Sequence, residues 1–144
     1  MIPLVPADVP DLTRLHRECF PLDQVWSALS FAELLADKGH IGWRLEVGGH
    51  TVGFILGRII MDEAELLTLA VSPACQRQGL GKALLGQFVT TLGQRGVVKA
   101  FLEVEEHNEG AIKLYTGANF RLISRRFNYY PGGATAFVYQ LDLH

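Results

Sequence analysis

The stretch from Leu66 to Leu92 leaves a folding chain few options. Leu66 to Val71 is a short apolar run suited to a buried strand, and Ser72-Pro73-Ala74-Cys75 is a turn. Gln76-Arg77-Gln78-Gly79-Leu80-Gly81 then opens a segment whose apolar residues Leu80, Leu84, Phe88 and Leu92 share one face of a helix. Strand, turn and amphipathic helix followed by another strand is a crossover unit, so the two strands should lie parallel with the helix on one face of the sheet. Glycines at Gly79 and Gly81 allow close approach to the backbone just where a helix start collects free N–H groups and the positive end of its dipole. Phosphate oxygens are the natural ligand of such a turn. The spacing fits neither common nucleotide loop. Gly81-Lys82 is followed by Ala83 rather than Ser or Thr, and Leu84 stands where a dinucleotide fingerprint needs its third glycine.

The remaining elements can be placed around this unit. Asp8 and Asp11 resemble a capping box for a first helix carrying Leu12, Leu15 and Cys19, which must stop before Pro21. Ser30-Phe31-Ala32-Glu33 reads as a second box, opening a helix that ends near Gly39. Strands are expected over 43–47 and 51–60, joined across Gly48-Gly49, and over 64–71 after Met61-Asp62-Glu63. Gly93 and Gly96 bracket the end of the long helix, a buried strand follows over 97–104, and Asn108 caps a helix from about Glu109 to Thr116. Two strands, over 120–128 and 136–143, close the chain around Tyr129-Tyr130-Pro131-Gly132-Gly133. The order is α-α-β-β-β-α-β-α-β-β. It implies one α/β domain over residues 1–144, with a mixed, mostly antiparallel sheet, a central parallel pair and helices on both faces.

Charge and composition narrow the function. A formal net charge of −2 argues against a general nucleic-acid binder, leaving only a local basic patch around Arg121, Arg125 and Arg126. No apolar run reaches the length of a membrane span, and acidic, proline-rich residues near the start lack a signal-peptide pattern, so a cytoplasmic location is expected. Cys19 falls in an apolar helical pattern. Cys75, ahead of the glycine turn, reads as a packed thiol. Neither these cysteines nor His16, His40, His50, His107 and His144 have the spacing of a metal site, and the histidines read as surface or packing residues.

Chemistry concentrates further along. Glu103 interrupts the apolar strand Leu102-Glu103-Val104, while Asn108, Ala111, Ile112 and Tyr115 fall on one helical face. The pattern L-E-V-x-x-x-N-x-x-A-x-x-L-Y-x-x-x-x-F runs from Leu102 to Phe120. Together with Gln76-x-x-Gly79-x-Gly81, it resembles the GNAT acetyltransferase superfamily. Phe20-Pro21, Trp26-Ser27, Leu69-Ala70-Val71-Ser72-Pro73 and Arg125-Arg126-Phe127-Asn128-Tyr129-Tyr130-Pro131 bring the resemblance closest to bacterial ribosomal-protein-alanine N-acetyltransferases of the RimI type.

That resemblance implies acetyl-CoA as co-substrate and no metal. Its pyrophosphate would lie on Gln76, Arg77, Gln78, Gly79, Leu80, Gly81, Lys82 and Ala83. The backbone of Leu69, Ala70 and Val71 would hold the pantetheine and stabilise the oxyanion, with Asn108 contributing on the cofactor side. Glu103 is implied as general base, its pKa raised on a mostly apolar strand, and Tyr115 as general acid; Glu105 and Glu106, near the strand end, read either as alternative bases or as surface charge. Phe20, Pro21 and Leu22 on one side and Tyr129 and Tyr130 on the other would line a groove for a protein N-terminus, that of a ribosomal protein whose first residue is alanine. No nucleic-acid or membrane partner is implied, and the oligomeric state is open. Two alternatives remain: transfer to lysine side chains or small amines, and a non-catalytic module that binds acyl-CoA. Two departures from the family pattern stand out. Asn119 replaces the usual glycine before Phe120, and is expected to adopt the left-handed conformation a helix end requires. Gly132-Gly133-Ala134-Thr135 lacks the acidic residue common there.

Overall fold

The computed structural model describes residues 1–143; His144 lies outside the described residues. Seven strands, β1 (Ile2–Pro3), β2 (His40–Val47), β3 (His50–Ile60), β4 (Glu63–Val71), β5 (Lys99–Glu105), β6 (Arg121–Arg126) and β7 (Ala136–Asp142), form one sheet in the order β1-β2-β3-β4-β5-β7-β6. Helices α1 (Val9–Cys19) and α2 (Ala28–Ala36) precede β2, α3 (Leu80–Gln94) links β4 to β5, and α4 (Glu109–Gly117) links β5 to β6. The expected mixed sheet with one parallel pair is present, β4 with β5.

Alternation along β3 builds a core on each face. Phe54 and Leu56 pack with Leu12 and Leu15 of α1 and Phe31 and Leu35 of α2. Ile55 between them faces Leu84, Phe88 and Leu92 of α3 and Leu102 and Val104 of β5. Gly48 and Gly49, with φ of +59° and +82°, supply the two positive dihedrals that a tight two-residue hairpin demands. Gly57 lets α3 sit close, since a Cβ there would lie 2.6 Å from the Phe88 ring. Asn119, at φ +74°, takes the left-handed conformation expected of it.

Several local expectations need correction. Asp8 does not cap α1 through its side chain. Its carboxylate accepts the Val5 N–H at 2.8 Å and pairs with Arg44 Nε at 3.1 Å. Pro10, at the second helical position, removes one of the N–H groups a cap would serve. Helix α2 starts earlier than the Ser30 box implied, because Ser27 Oγ accepts the Ser30 N–H at 3.1 Å and takes the capping role. Strand β1 was not anticipated; two residues, paired to Trp43 and Arg44, are too few to show a period. Val97 and Val98 precede β5 rather than belonging to it, although Val97 is fully buried.

Two irregularities prepare the site. The parallel pairing holds only at Glu63–Lys99, Ala64–Ala100 and Glu65–Phe101, and beyond it β4 and β5 part. At the same level β4 carries a bulge: Leu66 pairs with Gly57 and Thr68 with Leu56, leaving Leu67 opposite no residue. Facing reverses across that extra residue. Ala64 and Leu66 pack on the α3 side before it and Leu69 and Val71 after it, while Ala70 turns to the α1 side.

Candidate active site

Where β4 and β5 part, a cavity of about 640 Å³ opens between them. Its walls are residues 65–69 of β4, residues 101–105 of β5, Ala111 and Tyr115 of α4, and Asn108. His16, Phe20, Gln24 and Trp26 close it from α1 and the following segment, and Arg126, Tyr129 and Tyr130 from the far hairpin. Of the residues singled out in the sequence, Leu69, Glu103, Asn108, Tyr115, Phe20, Tyr129 and Tyr130 therefore meet around one space. Pro21 and Leu22 are absent from the lining, and Leu22 is 85% exposed. The short 3-10 turn covers Leu22–Gln24, and of the three residues expected on that side Phe20 lines the groove, joined there by Gln24 and Trp26.

Glu103 does not sit in apolar surroundings, contrary to the expectation drawn from its strand. Leu102 and Val104 turn into the core, but the Glu103 side chain is 31% exposed and its Oε1 lies 3.2 Å from Arg126 Nη1. Arg126 also stands over the Tyr129 ring, 5.7 Å from its centroid. The Glu103 carboxylate, as hydrogen-bond acceptor, pushes the Tyr129 phenol above its ordinary pKa, and burial first, then Glu103, pushes Tyr130 up to about 12. Both phenols remain protonated donors at neutral pH. Arg126 is a site residue that sequence reading placed in the hairpin motif and in a local basic patch. Its neighbours explain why the expected basic patch is weak: Arg126 is paired to Glu103, Arg121 to Asp142 at 3.2 Å, and Arg125 lies over the Phe137 ring.

Tyr115 is 6% exposed and packs edge-to-face on Phe120, ring centroids 5.9 Å apart. Burial alone holds its phenol far above the usual value, so the group is a loaded proton donor. Asn108 caps α4 as expected, its Oδ1 accepting the Ala111 N–H at 3.2 Å. Glu105 and Glu106 are engaged locally, accepting the N–H groups of His107 at 2.9 Å and Thr135 at 3.1 Å. With His107 they place potential ligand atoms within 4.8 Å of one another on the surface.

Next to this cavity, α3 begins at Gly79 with φ +79°, with no side-chain cap and no acidic residue in its first turn. The residues from Gln76 to Gly79 are exposed, and the first helical bond is Ala83 N–H to Gly79 C=O at 3.0 Å, so the preceding N–H groups of the turn face outward. Gln76 spends its amide on the Val71 carbonyl at 3.0 Å, which Cys19 Sγ also approaches at 3.2 Å. That carbonyl is occupied from within the protein. Beyond Glu65 the β5-facing edge of β4 has no strand partner, and this leaves strand-like backbone there for a ligand.

His16 bears out the packing half of its reading, and its position on the cavity adds what the sequence did not show. Read from the sequence as a surface or packing residue, it is 2% exposed and lines the cavity. Desolvation lowers its pKa to about 4. An unfolded histidine takes up a proton near pH 6.5, whereas this one stays neutral until about pH 4. Its contribution to stability is complete above pH 6.5, is lost as pH falls toward 4, and amounts to on the order of 3 kcal/mol over that window. Urea unfolding at pH 7.5 and pH 4.5 should therefore show a smaller loss in His16→Asn than in the wild type; equal losses would contradict this.

A sheet split between two parallel strands, with an uncapped helix leading off one of them, defines the class of molecule. The chain belongs to the acetyltransferase (GNAT) family, whose model matches residues 9–120, and it is an acyltransferase. It is similar to the [ribosomal protein bS18]-alanine N-acetyltransferase of Escherichia coli (strain K12), with 39% identity over 106 residues, 74% of this chain and 71% of the relative. The crystal structure of the Escherichia coli ribosomal-protein-S18-alanine N-acetyltransferase superposes with a TM-score of 0.91 at 33% identity, covering 98% of this chain and 91% of that one. Arabidopsis thaliana NAA60 in complex with acetyl-CoA shares the fold at 22% identity, with a TM-score of 0.82 over 97% of this chain and 96% of that one. Among the described residues no helix is long and apolar enough to cross a membrane.

Proposed function

We propose that the protein transfers the acetyl group of acetyl-CoA to the α-amine of a protein whose first residue is alanine, and that its acceptor is a ribosomal protein. One observation carries the reading: the parallel pair opens after Glu65–Phe101, and the resulting cavity is lined by both Glu103 and Tyr115. The similarity to alanine N-acetyltransferases supports the acceptor.

In this reading the free N–H groups at the start of α3 receive the pyrophosphate, and the unpaired edge of β4 receives the pantetheine as a further strand would be received. The acceptor enters between Phe20 and Trp26, beside α1, and Tyr129 and Tyr130 of the β6–β7 hairpin. Glu103 draws its ammonium and takes one proton, directly or through a water. An α-amine gives up that proton at a pH of about 7.7–8.0, so the demand on the base is modest. The freed lone pair attacks the thioester carbonyl, a C–N bond forms, and a backbone N–H of β4 near the bulge stabilises the oxyanion. As the C–S bond breaks, Tyr115 donates its proton to the departing sulfur. The second proton of the former ammonium leaves the new amide nitrogen through water to reload the Tyr115 oxygen, while the first passes from Glu103 to solvent. The products are an N-acetylated chain end and free CoA thiol. Thioesters are already activated, so most of the rate gain is orientation. Arg126 must yield its hold on Glu103 when the ammonium arrives. The pair is largely exposed, so this costs no more than about 1 kcal/mol.

Acetyl-CoA-dependent thiol release measured with alanine-first peptides, lysine peptides with blocked ends and free polyamines tests the proposal. Turnover of the first group, with kcat/KM at least tenfold above the others, is expected. Preference for polyamines or lysine would replace the acceptor assignment, and acetyl-CoA binding without turnover of any amine would indicate a non-catalytic module.

A further inference from the structure

We propose that His16 is a positioning residue for the acceptor: from α1 it accepts the backbone N–H of Trp26 and stacks on the rings of Phe20 and Trp26, so fixing residues 20–26 as one wall of the cavity. The inference rests on the reading of that cavity as an amine-acceptor site.

Few hydrogen bonds hold the segment. Its internal backbone bonds, Gln24 N–H to Pro21 C=O at 2.8 Å and Val25 N–H to Leu22 C=O at 3.5 Å, close only a short turn. Among the described residues, the 3.2 Å bond from Trp26 N–H to His16 Nδ1 is the one hydrogen bond joining residues 21–26 to the rest of the molecule. Ring stacking reinforces it. The imidazole lies 4.2 Å from the Phe20 ring at an interplanar angle of 18° and 5.2 Å from the Trp26 ring at 27°, with Phe31 meeting it edge-on at 5.5 Å. Phe20, Gln24 and Trp26 then face the cavity, while Leu22 between them is exposed. Trp26 also meets the Phe31 ring at 5.4 Å, and Phe20 and Trp26 pack against the α1–α2 core. The His16 bond is therefore the polar anchor that sets the register of an otherwise apolar contact.

The protonation state suits the role. An Nδ1 that accepts leaves the proton on Nε2, and burial keeps the ring in that neutral form throughout the physiological range. A side chain of similar shape without an acceptor would leave the half-buried Trp26 N–H without its partner. Phenylalanine is such a side chain. Asparagine, whose Oδ1 falls near the place of Nδ1, restores the acceptor but not the stacking.

The test compares His16→Phe and His16→Asn with the wild type in three measurements: amide hydrogen exchange at Trp26 without substrate, acetyl-CoA Kd, and KM and kcat for an alanine-first peptide. In His16→Phe, Trp26 exchange should accelerate about tenfold and acceptor KM rise by about the same factor, near the upper end of what one hydrogen bond contributes. Acetyl-CoA Kd and kcat should stay within about twofold, and His16→Asn should recover most of the protection and most of the KM. Unchanged exchange at Trp26 in the Phe variant would overturn the anchoring role without reference to activity. Faster exchange with an unchanged acceptor KM would overturn the positioning role, and so would a parallel rise in acetyl-CoA Kd. A wild type that acetylates no peptide amine would sink the acceptor reading and this role together, and the exchange result would still decide whether His16 anchors the segment.

Discussion

Tyr115→Phe is expected to lower kcat roughly 10- to 1,000-fold, the range for loss of one acid–base group with partial rescue by water. The substitution keeps the ring and its edge-to-face contact with Phe120 and removes only the hydroxyl. Folding and acetyl-CoA affinity should therefore persist. Burial holds this phenol protonated at any pH the enzyme meets, so the tyrosine should not add a basic limb of its own near neutrality to the pH–rate profile. Full activity in the Phe variant would reduce Tyr115 to a packing residue of α4.

Gly81→Asp should weaken acetyl-CoA binding on the order of a hundredfold, since a carboxylate at the helix start repels a pyrophosphate by about 3 kcal/mol at the effective dielectric of a protein surface. An acidic side chain in the first turn of α3 suits the helix dipole, but it would start among the Leu114, Leu69 and Val71 side chains, so circular dichroism and thermal unfolding first establish that the variant is folded. Gly81→Ala is the control. Its Cβ would meet the methyl groups of Leu114 at 3.5 Å and of Leu69 and Val71 at 3.8 Å, all ordinary contacts. That geometry also revises the reason for glycine here. The missing Cβ would point into the gap between β4 and α4, whereas the backbone freedom of the turn is used at Gly79. Calorimetric titration showing the same affinity in folded Gly81→Asp and wild type would remove the α3 turn from the cofactor site.

The elements that sequence revealed best are those with long periods and clear punctuation. Leu84, Phe88 and Leu92 fix α3, Gly48-Gly49 fixes the first hairpin, and Asn108 caps α4 as its residue type demands. Capping by Asp8 and Ser30 failed where a stronger partner intervened, Arg44 in one case and Ser27 in the other. What the sequence could not show is how far β4 and β5 stay paired. No residue announces that pairing ends at Glu65–Phe101, or that Leu67 is the bulged residue, because both depend on register against neighbouring strands. The site follows the same division. Glu103 and Tyr115 stood out as a polar interruption and a facial match. His16 looked ordinary because its partners, Phe20, Trp26 and Phe31, come together only on folding. Arg126 was read as part of a basic run, and its pairing with Glu103 required the β6–β7 hairpin to fold over β5.

The most direct test of the central claim uses one peptide that begins with a free alanine and carries a single internal lysine. The peptide is incubated with enzyme and acetyl-CoA, and fragmentation mass spectrometry locates the acetyl group. A cavity walled by Phe20 and Trp26 on one side and by Tyr129 and Tyr130 on the other should admit the chain end and place its amine at Glu103. The account predicts one acetyl group per peptide, on the α-amine, and at least about tenfold less product from Tyr115→Phe over the same time. Acetyl found mainly on the lysine, or an α-amine left free while a small amine in the same tube is consumed, would contradict it.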